Sequence, residues 1–183
     1  MSKAVMLSIR PKWVEKIANG EKTIEVRKTR PRLDTPFKCY IYCTLQGCNE
    51  FFRVDLGRDV AKWNRGKWAD RKGKVIGEFV CDYILQRCEM ANADIAEQQS
   101  CVRREDIYFK YSEEGKHYIY GWHIADLLIY DQPRELSEFQ RAIDPCVFCM
   151  ERIARECTDC KKLGGNIKRA PQSWCYVEAV EDE

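Results

Sequence analysis

The sequence GEKTIEVR, residues 20–27, marks the point where a helix is predicted to end and a strand to begin. Gly20 predicts the helix end, because glycine is the common residue at the left-handed position that closes a helix. The residues after Thr23 alternate apolar and polar as on a half-exposed strand, which puts Glu25 and Arg27 on one face, away from the core. With Lys22 in the turn, two cations and a carboxylate gather at one helix–strand corner.

This corner has two interpretations that the residue pattern leaves open. Lys22 and Arg27 are suited to hold a phosphate or a base edge, with Glu25 orienting the cations or accepting from an exocyclic amine. Alternatively, the three residues form an exposed salt-bridge cluster, worth roughly 0–1 kcal/mol per pair.

The residues before the corner supply a strand and the helix. Residues 4–9 (AVMLSI) form a short apolar run that predicts a buried strand. Pro11 suits the first position of a helix, where its missing N–H costs nothing. Trp13 lies on the apolar stripe of that helix, so it is predicted either to pack in the core or to form a wall of a cleft.

The remaining apolar runs are short and separated by turn residues. This pattern predicts the α+β class: a small mixed or antiparallel β-barrel with peripheral helices. No strand is followed by a glycine-rich phosphate loop, which excludes a Rossmann or P-loop enzyme. The predicted strands are residues 39–44, 74–85 (with a bend at Gly77) and 118–130, the last ended by a turn at Gln132-Pro133; residues 93–112 are predicted to be helical, and residues 170–177 extended or a short strand.

Charge is distributed unevenly along the chain. The first 74 residues carry a net charge of +10 and the rest −8, although the whole chain is only +2. Such polarisation predicts a positive face for a polyanion such as nucleic acid; the alternative is an ordinary solvated surface. Within the predicted insertion 45–74, residues 51–74 interleave eight Lys/Arg with two Trp and two Phe, which is typical of a nucleic-acid clamp or of a loop pinned by its aromatics.

Eleven cysteines occur in a sequence that shows neither an export signal nor a long apolar stretch. We therefore expect a cytoplasmic protein without membrane association, whose thiols are reduced or bound to metal. Two Cys-x-x-Cys pairs separated by seven residues predict a structural zinc site with four thiolate ligands and no open position. Its ligands are Cys146, Cys149, Cys157 and Cys160; free thiols or disulfides are the alternatives.

Four residues of the corner form a signature, GxKxxExR, that resembles the ASCH (activating signal cointegrator homology) domain of the PUA-like group. The flanks are similar too, in residues 7–20 (LSIRPKWVEKIANG) and 121–133 (GWHIADLLIYDQP). The resemblance implies a PUA-like β-barrel with a cleft beside the corner, spanning residues 1–140. Residues 141–183 then form a cysteine-rich, zinc-knuckle-like appendage packing on the barrel, as in similar bacterial or phage proteins.

The resemblance also implies function. We expect an RNA-binding or modified-nucleotide-binding protein, with contacts from Arg10, Lys22, Glu25, Arg27, Lys28 and Arg30. The alternative is a nucleoside amidohydrolase or ribonuclease using Lys22 and Glu25. Similar amidohydrolases act on acylated cytidine with a catalytic Lys and a Thr three positions later, where this chain has Glu25. A third alternative is a protein-interaction adaptor that docks through the zinc knuckle.

Overall fold

The computed structural model describes residues 2–45, 69–86, 94–103, 119–142 and 165–180 of the 183-residue chain. Within these ranges lie ten strands, one α-helix and three single turns of tighter or wider helix. The elements are β1 (Lys3–Ile9), α1 (Pro11–Ala18), β2 (Ile24–Arg27), β3 (Phe37–Cys43), a 3₁₀ turn (Ala69–Arg71), β4 (Val75–Cys81), β5 (Ile84–Leu85), a π turn (Asp94–Gln99), β6 (Tyr120–His123), β7 (Ala125–Arg134), a 3₁₀ turn (Leu136–Glu138), β8 (Gln140–Arg141), β9 (Gly165–Asn166) and β10 (Trp174–Glu178).

The strands form two sheets. The larger has the order β7-β4-β3-β1-β10-β8-β9 and the smaller the order β2-β6-β5. Strands β1 and β3 run parallel, and the other pairs are antiparallel. The predicted α+β class is confirmed. A closed barrel is not seen, because the pairings among the described strands leave both sheets open.

Strands β1 and β3 lie in the middle of the large sheet and are buried on both faces. Alternate residues of β1 enter two different cores: Val5 and Leu7 pack in the first, Ala4 and Met6 in the second. A strand covered on both faces is apolar along its whole length rather than at every second residue. This explains the apolar run at residues 4–9.

Helix α1 begins and ends where the sequence predicts. Pro11 is its first residue, and Gly20, two residues beyond its end, has a φ of +75° that side-chain-bearing residues rarely adopt. Val14 and Ile17 are buried in the first core, and Trp13 packs against it half-buried. The helix is thereby fixed on the sheet with its C-terminal end at the corner.

Two predicted strands each divide between the sheets. The run 74–85 forms β4 and β5, and the run 118–130 forms β6 and β7. Strands β4 and β7 belong to the larger sheet, and β5 and β6 belong to the smaller one. The predicted turn at Gln132-Pro133 is wrong, since β7 continues to Arg134. Among the described strands, β7 lies at the edge of its sheet and pairs on one side only, with β4. Proline, which has no backbone N–H to donate, is tolerated in such an edge strand.

Gly77 marks an irregularity in pairing rather than a simple bend. The registers of β4 with β3 and with β7 both shift beside it. A Cβ at this position would run into the backbone carbonyl oxygen of Leu128 on β7. The close approach of these two strands therefore requires glycine here.

Several predicted features fall partly or wholly outside the described residues. Of the insertion 45–74, residues 46–68 lie outside them, and of the helical stretch 93–112 only the π turn and the residues after it, to 103, are described. The tail strand predicted within 170–177 is confirmed as β10, which pairs with β1. Within the described ranges, no helix has the length and apolar character needed to cross a membrane.

We expect Phe139→Ala to lower the free energy of unfolding by roughly 3–5 kcal/mol, the usual loss for a large buried aromatic. Phe139 is fully buried in the second core, and its ring lies 4.9 Å from that of Tyr40. Urea denaturation measures the change. Leu128→Ala, on the exposed face of β7 with the residue 53% exposed, is the matched control and should stay within about 0.5 kcal/mol of wild type. Equal losses would contradict the second core.

Candidate functional site

The corner predicted from residues 20–27 forms where α1 meets β2. The backbone N–H of Gly20 donates to the carbonyl of Ile17 at 3.0 Å, and that of Lys22 donates to Lys16 at 3.0 Å. The left-handed conformation of Gly20 turns the chain back toward the protein. This turn directs the Lys22 side chain inward, and only 2% of the residue is exposed.

The Lys22 ammonium is surrounded by protein acceptors. Its Nζ donates to the carbonyls of Ile24 and Ser100, each at 2.7 Å, and lies 3.3 Å from Glu25 Oε2. A lysine has three N–H donors, so each has an acceptor here. Nζ also lies 5.3 Å from the ring centroid of Trp13, within the range of a cation–π contact.

Burial changes the ionisation of this lysine. Removal from water disfavours the charged form and lowers the pKa of Lys22 below its ordinary value of 10.5. The charge and hydrogen bond of Glu25 act in the opposite direction without cancelling the shift.

Glu25 and Arg27 share one face of β2, as predicted. Glu25 Oε1 lies 3.0 Å from Arg27 Nη2, so the carboxylate bridges both cations of the corner. Arg27 Nη2 also donates to the Ser8 carbonyl at 2.9 Å, and Nη1 donates to the carbonyl and the Oγ of Ser173, both at 3.1 Å. Of the three side-chain nitrogens of Arg27, Nε lacks an acceptor, and it is buried.

The gathering of Lys22, Glu25 and Arg27, which we call the ion network, is therefore confirmed. The face that carries it is not open, however: 9% of the Glu25 side chain and 11% of the Arg27 side chain are exposed. The reason is tertiary, because β1 and the residues before β10 pack over this side of β2. Strand alternation identifies which side chains share a face but not what covers it.

Beside the ion network lies a cleft of about 1260 Å³. Its lining comes from the end of β1, the start of α1, the corner, and the segments 101–103 and 168–172. The segments are far apart in sequence, and the ion network lies where they meet.

The cleft is strongly positive. Among the described residues that line it, seven are Lys or Arg and one is a carboxylate, Glu25. Confined to a concave surface, such an excess of one sign produces a positive potential that attracts anions. The seven cations are Arg10, Lys12, Lys22, Arg27, Arg103, Lys168 and Arg169.

The structure brings together most of the predicted binding residues. Arg10, at the start of α1, lines the cleft with the ion network. Lys28 and Arg30 are exposed after β2 and are not among the lining residues. Trp13 lines the cleft while packing against the first core, so both of its predicted locations apply.

Sequence reasoning missed four of the cations: Lys12, Arg103, Lys168 and Arg169. The adjacent pair at 168–169 precedes Pro171 in an extended stretch, and that doublet is a signal that sequence analysis can use. Arg103 belongs to a basic doublet too, with Arg104, but its place in the cleft depends on how segment 101–103 returns to the corner.

The predicted zinc ligands lie outside the described residues. Within the described part of the chain, no group of three or more His, Cys, Asp or Glu residues is placed to hold a metal ion. Burial raises the pKa of the thiols of Cys39 and Cys175, and that of Cys81 to about 12, which makes them unreactive. Cys39, Cys43 and Cys81 are buried free thiols, and Cys101 and Cys175 are half-buried free thiols.

We expect Lys22→Met to alter how stability depends on pH. Because the folded-state pKa of Lys22 is lowered, the unfolded chain binds more protons than the folded chain between that pKa and 10.5. The free energy of unfolding of wild type should therefore rise with pH in this window, by at most about 1.4 kcal/mol per pH unit, and the variant lacks this contribution.

Urea denaturation from about pH 8 upward measures this slope. Lys16→Met is the control. It removes a lysine of α1 whose pKa is raised, so it should leave the slope below pH 10.5 as in wild type. A wild-type advantage over Lys22→Met that shrinks with rising pH would show that attraction to Glu25 outweighs burial.

Comparison with protein-family models gives no match, and comparison with curated proteins gives none. Among solved structures, the chain is similar to an ASCH protein from Zymomonas mobilis, with 15% identity and a TM-score of 0.55 over 96% of this chain and 87% of the other. Two point variants of that protein, also 15% identical, give TM-scores of 0.55 and 0.54, covering 97% and 96% of this chain and 91% and 88% of theirs. The chain therefore has the fold of the ASCH domain.

Proposed function

We propose that this chain is an ASCH domain protein that binds RNA or a modified nucleotide in the basic cleft. The observation that carries the proposal is the ratio of seven cations to one carboxylate among the described residues that line the cleft. Attraction between Lys or Arg and phosphates supplies most of the affinity in non-specific nucleic-acid binding.

The dimensions of the cleft are sufficient for a nucleotide or a short stretch of RNA. Pockets for small molecules measure roughly 300–1,000 Å³, whereas this cleft measures about 1260 Å³. Its exposed and half-buried cations come from separate chain segments, so they can contact several phosphates of one ligand.

The cations fall into two groups by burial. Lys22 and Arg27 are buried in the ion network, where protein acceptors surround them. The other five are exposed or half-buried and provide the first contacts with phosphates: Arg10, Lys12, Arg103, Lys168 and Arg169. In this proposal Lys28 and Arg30 extend the positive rim outside the cleft, and Trp13 offers an aromatic surface for a base.

We expect the protein to bind fluorescein-labelled single-stranded RNA with an affinity that falls steeply as salt is added. Three to five phosphate contacts give a slope of log K against log salt between about −2 and −3.5, at roughly −0.7 per phosphate. Lys168→Gln/Arg169→Gln should weaken binding roughly tenfold and make the slope shallower by about 1.4. Fluorescence anisotropy across a salt series measures both quantities.

The matched control is Lys3→Gln/Arg141→Gln. Both double variants remove two positive charges from a chain of net charge +2. Lys3 and Arg141 lie opposite the C-terminal end of β10, away from the end of β1 that lines the cleft, and neither is a lining residue. The control should bind nearly as wild type. Equal losses in both variants would mean that total charge, not the cleft, governs binding, and negligible affinity at every salt concentration would favour the adaptor.

An observation also bears on the enzymatic alternative. A buried lysine with a lowered pKa beside a carboxylate is a common arrangement at catalytic sites, and Lys22 with Glu25 provides it. Its three N–H donors are nevertheless engaged by protein acceptors, which favours binding over catalysis. Turnover of tRNA or acetylated cytidine that is lost in Lys22→Ala would overturn the binding proposal.

We also propose one structural zinc ion per chain, on the spacing of Cys146, Cys149, Cys157 and Cys160. Metal analysis of protein purified without added zinc should give about one equivalent, and Cys157→Ser should lose it. Cys175→Ser, which changes a described thiol outside any metal cluster, is the control and should keep the zinc. Zinc below about a tenth of an equivalent in wild type would contradict the site.

A further inference from the structure

The ion network connects two chain segments that line the cleft. At one end Lys22 Nζ donates to the carbonyl of Ser100, next to the lining residues 101–103. At the other end Arg27 Nη1 donates to Ser173, next to the lining residues 168–172. Glu25 joins the two ends through its two carboxylate oxygens.

The donors of this network are engaged by protein acceptors, except for the Arg27 Nε–H, which is buried and has no acceptor. The two terminal nitrogens of Arg27 carry four N–H groups, and these meet four acceptors: the carbonyl and Oγ of Ser173, the carbonyl of Ser8, and Glu25 Oε1. The three N–H groups of Lys22 likewise meet three acceptors, the carbonyls of Ile24 and Ser100 and Glu25 Oε2. A phosphate that took any of these donors would leave a buried protein acceptor without its partner, at a cost that offsets the new bond.

The two segments it joins carry exposed cations of the cleft. Arg103 belongs to one segment, and Lys168 and Arg169 belong to the other. Other hydrogen bonds also hold these segments at the corner. They include Thr23 N–H to the Gln99 carbonyl at 2.9 Å, Cys101 Sγ to the Glu21 carbonyl at 3.3 Å, Ser8 Oγ to the Pro171 carbonyl at 2.6 Å, and Ser8 N–H to the Ser173 carbonyl at 3.0 Å.

We propose that Lys22, Glu25 and Arg27 are positioning residues: they fix segments 98–103 and 168–173 so that the exposed cations on both are presented to one ligand. The role as a ligand site rests on the proposed function, but the positioning itself is a property of the free protein. Specificity for the spacing of anionic groups then depends on residues that do not touch the ligand.

Hydrogen–deuterium exchange of the free full-length protein, read by mass spectrometry, tests the positioning. Arg27→Gln should speed exchange in peptides covering 168–174 by roughly fivefold to tenfold, as expected when one or two hydrogen bonds are lost locally. Glu25→Gln, at the centre, should speed it in peptides covering both 98–103 and 168–174. Peptides from β3 and β4 should exchange as in wild type.

Arg10→Gln is the matched control, because it removes one cation that lines the cleft but lies outside the network. It should leave exchange in both segments unchanged while weakening binding to labelled RNA. If Arg27→Gln and Glu25→Gln behave like Arg10→Gln, the positioning role is wrong and direct contact is favoured. Faster exchange throughout the protein would also overturn it, since the effect would then be on the whole fold.

Arg27→Lys separates charge from geometry and remains informative if Glu25→Gln does not fold. Lysine keeps the positive charge but cannot bond Ser8, Glu25 and Ser173 with one planar fork. Positioning predicts faster exchange at 168–174 and weaker RNA binding, close to Arg27→Gln; a simple phosphate contact predicts behaviour near wild type. The exchange result stands whether or not RNA binds, so failure of the proposed function is seen separately, as absent binding by wild type.

Discussion

The structure around the cleft depends on one constraint: two cations and a carboxylate are removed from water together. Each charge alone would cost several kcal/mol to bury, and Lys22, Glu25 and Arg27 offset that cost through mutual attraction and through backbone carbonyls. Removing one member of such a group leaves an uncompensated charge, which is more damaging than replacing the whole group by apolar residues. The corner, the segment at Ser100 and the segment at Ser173 must therefore keep a single arrangement.

The sequence predicts what is local. The strand at residues 4–9, the start of α1 at Pro11, its end at Gly20 and the shared face of Glu25 and Arg27 all follow from steric and alternation rules that act over a few residues. The apolar content of residues 4–9 is sufficient to predict this strand. Because the strand is buried on both faces, these residues are apolar except for Ser8.

What the sequence does not predict is set by contacts between distant residues. The burial of Arg27 depends on Ser173, 146 positions away, and neither residue's neighbours indicate the other. The sequence predicts that a strand ends at Pro133, but β7 continues past it because β7 lies at a sheet edge. Which strand lies at the edge depends on the strand order, and the local sequence does not contain it. The charge of the cleft was foreseen in sign from the first 74 residues, yet Arg103, Lys168 and Arg169 come from the part of the chain that is acidic overall.

This last point affects how function is argued from a shared fold. At 15% identity the similarity to the Zymomonas mobilis protein fixes the path of the backbone and not the chemistry on it. The backbone of this chain brings the start of α1, segment 101–103 and segment 168–172 around one cleft. In this chain each of the three contributes exposed or half-buried Lys or Arg, and the Glu25 carboxylate beside them is paired with Lys22 and Arg27. Pairing with Lys22 and Arg27 offsets the negative charge of Glu25, so this carboxylate does not oppose an anion, and the five other cations of the described lining add to the positive potential.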